Sequence, residues 1–232
     1  MRTSLVVVLV VVLAAVAGVV LLMRALGRAR RKARRADARD LEGIRRYAAS
    51  RGLAIQQAGA KSAFTATGTL EGLPVTLATS HLRLVVTHGR VAQGPLETHL
   101  RTRGLSPALR MLVARPVGQR REVEEPPTRG ADRLSSGDRA FDAVFHCYAA
   151  DPALLRRWLD PAARQQIQAL GELREVRLAD GELSLSLVPV VWLGGADDSP
   201  WHHVHPLVRK PETLDRAAAL LARLCESAKV LG

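Results

Sequence analysis

Three histidines and two carboxylates fall within nine residues of the stretch Gly194-Gly195-Ala196-Asp197-Asp198-Ser199-Pro200-Trp201-His202-His203-Val204-His205-Pro206. Imidazole nitrogens and carboxylate oxygens are the donors that bind zinc and other first-row divalent metals. An extended backbone here puts His203 and His205 on one face and turns His202 away, so His203 and His205 are the candidate metal ligands. Two ligands do not complete a site. Asp197 or Asp198 would have to fold back across Pro200, or His81, His88, His99 or His146 would have to converge from elsewhere. The competing reading is a polar loop leading into an edge strand bounded by prolines, which needs no metal.

His146-Cys147 sets a thiol next to a base, but adjacent residues on a strand face opposite ways and make no dyad. Cys147 in Phe145-His146-Cys147-Tyr148 reads as an interior thiol, and Asp142 and Asp151 as turn and cap residues. The phosphate-loop, dinucleotide, zinc-hydrolase, serine-hydrolase and Cys-x-x-Cys signatures are all missing from the chain. No catalytic residue and no cofactor is therefore assigned. Zinc or a similar divalent metal at His203 and His205 is the alternative.

The elements that would carry these residues read as α+β. Leu41, Ile44, Tyr47 and Ala48 share one face of a helix over 40–50, and Gly52 stops it. Short β runs follow at 63–70, 74–79 and 82–87, separated by Glu71-Gly72 and followed by His88-Gly89. Leu96 to Thr102 alternates, with Leu96, Thr98 and Leu100 inward and Glu97, His99 and Arg101 on an exposed face. Ser106-Pro107 predicts a short helix to about Val113. Residues 115–137 have no apolar period and read as a loop or linker.

Beyond it, Phe141 to Tyr148 is expected as a strand. Asp151-Pro152 and Asp160-Pro161 each pair a capping carboxylate with a first-turn proline, so two short helices follow. The second turns Ala163, Ile167 and Leu170 inward. Asp180-Gly181 suits a type I′ turn, and a two-residue turn pairs Leu178 with Leu183 and Val176 with Leu185. Pro211 opens a last helix whose core side is Leu214, Ala217, Ala218, Leu221, Leu224, Cys225 and Ala228.

The run Ser136-Gly137-Asp138-Arg139-Ala140-Phe141-Asp142-Ala143-Val144-Phe145 stands first in a further pattern. Asp151 through Leu159-Asp160-Pro161, Arg164 and Ile167 follow, then Leu178-Ala179-Asp180-Gly181-Glu182-Leu183. This resembles uncharacterised bacterial membrane-anchored families, in which such a Phe-bearing strand leads into a capped helix and an Asp-Gly hairpin. The resemblance covers about a quarter of the chain. It implies a fold and a topology and brings no active site.

The amino-terminal part has a different character. Leu5 to Met23 is 19 residues without a charge, about 28 Å as a helix and close to the thickness of a bilayer core. Arg24, Arg28, Arg30, Arg31, Lys32, Arg34, Arg35 and Arg39 follow, against one acid, Asp37. The positive-inside bias then places the rest of the chain in the cytoplasm, and Arg outnumbering Lys 30 to 4 reads as the codon bias of a GC-rich bacterium, so the expected membrane is a bacterial inner membrane. Arg24, Arg28, Arg30, Arg31, Lys32, Arg34 and Arg35 are the candidate membrane-surface residues. Eight aromatics in 232 residues leave little for base stacking, which argues against a nucleic-acid partner. Ala14 and Gly18 form a small-xxx-small pair that suits a homodimer. Cys147 and Cys225 have no paired spacing, as expected of reduced thiols.

The expected fold class is α+β: one N-terminal transmembrane helix, then an antiparallel sheet with helices packed on one face. The expected divisions are a tail (1–4), a span (5–23), a basic segment (24–40), a β-rich lobe (41–114), a linker (115–137) and an α+β lobe (138–232). The function expected is a membrane-anchored, cytoplasm-facing, non-catalytic interaction or scaffold module. Its partners are the lipid bilayer and a protein. The alternative is a membrane-tethered metal-binding domain or metal-dependent enzyme.

Overall fold

The computed structural model of the chain describes Leu21, Arg24, Ala38 and residues 41–57, 64–86, 90–115, 133–188 and 211–232; for residues 57, 81–86 and 90–96 it describes the backbone alone. Met1–Arg39 and Asp40–Gly232 are separate units. In the first, Leu21, Arg24 and Ala38 are helical and exposed.

In the second unit, helix α1 (residues 41–50) leads into β1 (Ala54–Gln57), β2 (Phe64–Leu70), β3 (Leu73–Val86), β4 (Arg90–Arg103) and β5 (Met111–Ala114). Then come α2 (Arg139–Val144), β6 (His146–Ala149), α3 (Pro152–Trp158), α4 (Pro161–Ala169), β7 (Leu173–Ala179), β8 (Glu182–Leu187) and α5 (Pro211–Leu231). All eight strands form one antiparallel sheet in the order β1-β2-β3-β4-β8-β7-β5-β6. The two lobes read from sequence therefore share one sheet, because β4 pairs with β8 and β5 lies between β7 and β6.

Local chemistry explains most elements. Asp151 and Asp160 accept from the backbone N–H groups of Ala153 and Ala163, at 2.7 Å each, and a proline follows each cap. Asp180 and Gly181 both take positive φ, 53° and 76°, as a type I′ turn requires, and Leu178 pairs with Leu183 and Val176 with Leu185. Gly68 is needed for close approach: a Cβ there would lie 2.6 Å from Leu53 Cδ2 and 3.2 Å from Leu53 Cα. The seven residues read as the core side of α5 are all buried.

The helices cover one face of the sheet. Phe64, Ala66, Val75, Leu77, Leu100, Val176, Leu178, Leu183 and Leu185 project into that core with Leu221 and Leu224 of α5. Trp158 is fully buried between α3 and α5, where its indole N–H donates to the Leu224 carbonyl at 3.1 Å. Tyr47 Oη donates to Asp215 at 2.9 Å and ties α1 to α5.

Three expectations are corrected. Among the described residues no helix is long and apolar enough to cross a membrane, so the fold class shown for them is α+β without the expected transmembrane helix. The longest element, α5, carries Glu212, Asp215, Arg216, Arg223, Glu226 and Lys229 on its 21 residues and buries only one face. Of residues 5–23, Leu21 alone is described. Secondly, the helix expected after Pro107 is instead strand β5, buried at all four positions. An apolar run of four residues is too short to sustain a helix but fits an interior strand. Thirdly, Phe141 lies in α2 and not on a strand. Asp138 caps that helix through the Ala140 and Phe141 N–H groups, and Phe141 and Phe145 stack four residues apart at 4.9 Å.

Candidate functional site

The face of the sheet opposite the helices is built in rows set by the register. One row runs Ala78, His99, Ser186, Glu175, Ala114, His146 across β3, β4, β8, β7, β5 and β6. The next runs Thr76, Arg101, Ser184, Arg177, Leu112, Tyr148, and a third holds Arg103, Glu182 and Ala179. Alternation along each strand sends these residues away from the apolar core.

A bulge concentrates charge on this face. Leu173 pairs with Leu187 and Val176 with Leu185, so two residues of β7, Arg174 and Glu175, stand opposite the single Ser186. The extra residue lets Leu173 and Val176 both face the core while Arg174 and Glu175 both reach the outer side. Arg174 Nε lies 3.0 Å from Glu97 Oε1, and Arg177 Nε lies 2.9 Å from Glu175 Oε1. Glu97 is 4 % exposed and Glu175 8 %, so the face expected to be open at Glu97 and His99 is closed there. Charges withdrawn from water to this degree must be paired, and these are.

His99 sits at the centre of the cluster. Its Nε2 is 2.7 Å from Ser80 Oγ and its Nδ1 3.0 Å from Ser186 Oγ. Burial, reinforced by the positive charges of Arg101 and Arg174, pulls its pKa down to about 4. Serine, histidine and glutamate are the residue types of a hydrolytic triad, but the arrangement differs. Glu97 Oε2 lies 3.7 Å from Nε2, on the same ring nitrogen as Ser80, while the other nitrogen faces a second hydroxyl. In a triad the carboxylate holds the opposite nitrogen and sustains the imidazolium. A neutral ring with a pKa near 4 is also a poor base at neutral pH. The arrangement is therefore not that of a hydrolytic triad.

The same face opens toward the ends of β2, β3 and β4. Thr67, Gly68, Pro74, Thr76, Arg101, Arg103 and Glu182 line a shallow depression of about 420 Å³. Arg103 Nε meets Glu182 at 2.8 Å and Arg101 Nε meets it at 3.8 Å. The Arg103 side chain is 83 % exposed and that of Arg101 41 %, in contrast to the closed row beside them.

No protein-family model matches the chain, and no curated protein matches it. One solved structure is similar in outline. It is the mycobacterial trehalose monomycolate transport factor A, TtfA, at 10 % identity and a TM-score of 0.45, over 81 % of this chain and 95 % of that one.

The residues singled out from sequence fare unevenly. His203 and His205 lie outside the described residues, as do Arg28, Arg30, Arg31, Lys32, Arg34 and Arg35, while Arg24 is helical and exposed. Among the described residues no three His, Cys, Asp or Glu side chains are grouped to hold a metal. His99 and His146 share a row but stand four strands apart, roughly 19 Å, and do not converge on one ion. Cys147 is buried on the core side, and burial with the nearby Asp142 carboxylate pushes its thiol up to about 12. Burial raises the Asp142 carboxyl, but bonds from Ser135 Oγ and from the Ser136 hydroxyl and N–H prevail and hold it below its ordinary value. Ser80, Ser186, Arg174, Glu175 and Arg177 were not foreseen. The outward positions of β7 and β8 were legible from the hairpin register, but the bulge that adds Arg174 leaves no mark in the local sequence.

Proposed function

We propose that the domain is a non-catalytic interaction module that holds a protein partner on the outer face of its sheet, at the open end around Thr67, Thr76, Arg101 and Arg103. What supports this reading is the division of that face: the interior polar groups are taken up by one another, whereas two arginines at the open end share one carboxylate, Glu182, and remain exposed. Arginine on a shallow, partly apolar surface is a residue suited to bidentate capture of carboxylates. The partner is accordingly a protein that presents acidic side chains.

The test places a photo-crosslinking residue at position 76 of the full chain in cells. A discrete adduct that vanishes with Arg101→Glu and Arg103→Glu, while cross-linking to unrelated proteins is unchanged, supports the module. An adduct indifferent to both substitutions removes this surface from the account. Elemental analysis of the untagged full chain runs alongside. About one zinc per chain, lost with His203→Ala and His205→Ala, would overturn the non-catalytic reading in favour of the metal-dependent alternative.

A further inference from the structure

The hairpin of β3 and β4 outruns the sheet that holds it. Pairing of β2 with β3 ends at Phe64 and Thr79, and pairing of β4 with β8 ends at Thr98 and Leu187. The ribbon itself continues through His81 with Leu96, Arg83 with Gln93, Leu84 with Ala92, Val85 with Val91 and Val86 with Arg90. Among the described residues no third strand lies beside those positions. At about 3.4 Å per residue, the ribbon extends roughly 25 Å past its neighbours. A two-stranded ribbon is marginal in water by itself and gains from a surface that takes up its apolar residues.

We infer that this ribbon docks on an anionic lipid surface. Register places Val85 and Val91 on one face with Arg83 and Gln93, and Leu84 and Ala92 on the other with Val86 and Arg90. Each face thus carries apolar residues and one arginine. Between Gly72 and Leu96 the chain has no aspartate or glutamate at all, while it has Arg83, Arg90, His81 and His88. That balance argues against a second copy of the ribbon as occupant, since two would bring four arginines together without a carboxylate. On the β4 edge, Pro95 removes an N–H from the ladder and so disfavours addition of a strand there from another protein. Apolar residues on both faces with cations among them fit an element that enters the boundary between headgroups and acyl chains. There Val and Leu leave water and arginine meets phosphate.

The inference goes beyond the reading of the domain as a protein-interaction module and adds a second class of contact on a different surface. The test uses the full chain with Val86→Cys labelled by an environment-sensitive dye; the native Cys147 and Cys225 are buried. Gln93→Cys serves as a second labelling site should the first variant fold poorly. Phosphatidylcholine vesicles containing phosphatidylglycerol should shift the dye to the blue, and pure phosphatidylcholine vesicles should not. Arg83→Glu with Arg90→Glu should raise the lipid needed for half the shift about tenfold or more. Equal emission with both vesicle types, or no effect of the arginine pair, overturns the proposal. A dye that responds to polyglutamate and ignores the vesicles also overturns it and assigns the ribbon to an acidic protein. Failure here with the position-76 adduct intact leaves the module standing, whereas loss of that adduct alone leaves the ribbon standing.

Discussion

The two faces of the sheet are made from the same strands, yet they are held by different physics. Toward the helices, Leu77, Leu100, Leu185 and Val176 pack with 1 % exposure or less, and nothing directional is required of them. Toward the other side, Glu97 and Glu175 are buried and His99, Arg174 and Arg177 half-buried, and each is set against an ion-pair or hydrogen-bond partner. The lesson is that burial on the helical face tolerates exchange among hydrophobic residues, whereas burial on the outer face does not tolerate removal of one member.

Trp158→Ala presents the largest contrast. It empties a fully buried site and removes the bond to Leu224, so denaturant unfolding should show a loss of about 3–5 kcal/mol. Trp158→Phe should lose much less, since most of the volume remains. A small loss for alanine would mean that the helical layer is loosely packed.

On the outer face, Arg174→Met should cost about 3 kcal/mol, because it leaves Glu97 charged and buried. Changing Glu97→Gln as well should recover part of that loss. If the double variant is no better than the single one, the Arg174–Glu97 pair is not what holds this face.

His99 gives the comparison a pH axis. Its folded pKa of about 4 lies below the ordinary 6.5, so the unfolded chain binds the proton first. The stability it contributes is complete above pH 6.5 and is lost as pH falls from 6.5 through 4, to about 3 kcal/mol in all. His99→Gln should remove that dependence. The carboxyls of Asp142 and Asp160, both held below their ordinary values, would lose stability only at still lower pH. A stability profile unchanged by His99→Gln between pH 6.5 and 4 would contradict a buried neutral ring.

Asp160→Ala tests the smallest effect. The residue caps α4 and meets Arg223 of α5 at 2.6 Å, but both side chains are more than a third exposed. A loss near 1 kcal/mol is expected. A larger one would show that the exposed rim matters more than either face.

Legibility followed the range of the interactions. The caps at Asp151 and Asp160, the Asp180-Gly181 turn with its register, and the buried stripe of α5 depend on neighbours within a few residues, and they stand where the sequence places them. Leu96 to Thr102 alternates as read, but the openness expected at Glu97 depended on what lies beside it. Arg174, more than seventy residues away, could not be read from strand periodicity. The strand at Met111 is held by β6 and β7, remote in sequence, whereas the helix at Phe141 departs from the rule, since its Asp138 cap and the Phe141–Phe145 stack are local and its apolar run reads equally as a strand. The His203 and His205 pair and the arginine run after Arg24 rest on the sequence alone.

By itself, then, the sequence determined that residues 41–232 hold an α+β arrangement with capped helices, a tight hairpin and one amphipathic terminal helix, because local sterics and periodicity act along the chain. Only the tertiary structure decided that β4 joins β8 to make one sheet of two expected lobes, and that a bulge sets Arg174 against Glu97. It likewise decided that His99 is enclosed by Ser80 and Ser186. Each of these joins residues remote in sequence, and their pairing is selected by burial and charge compensation that no short window of sequence contains.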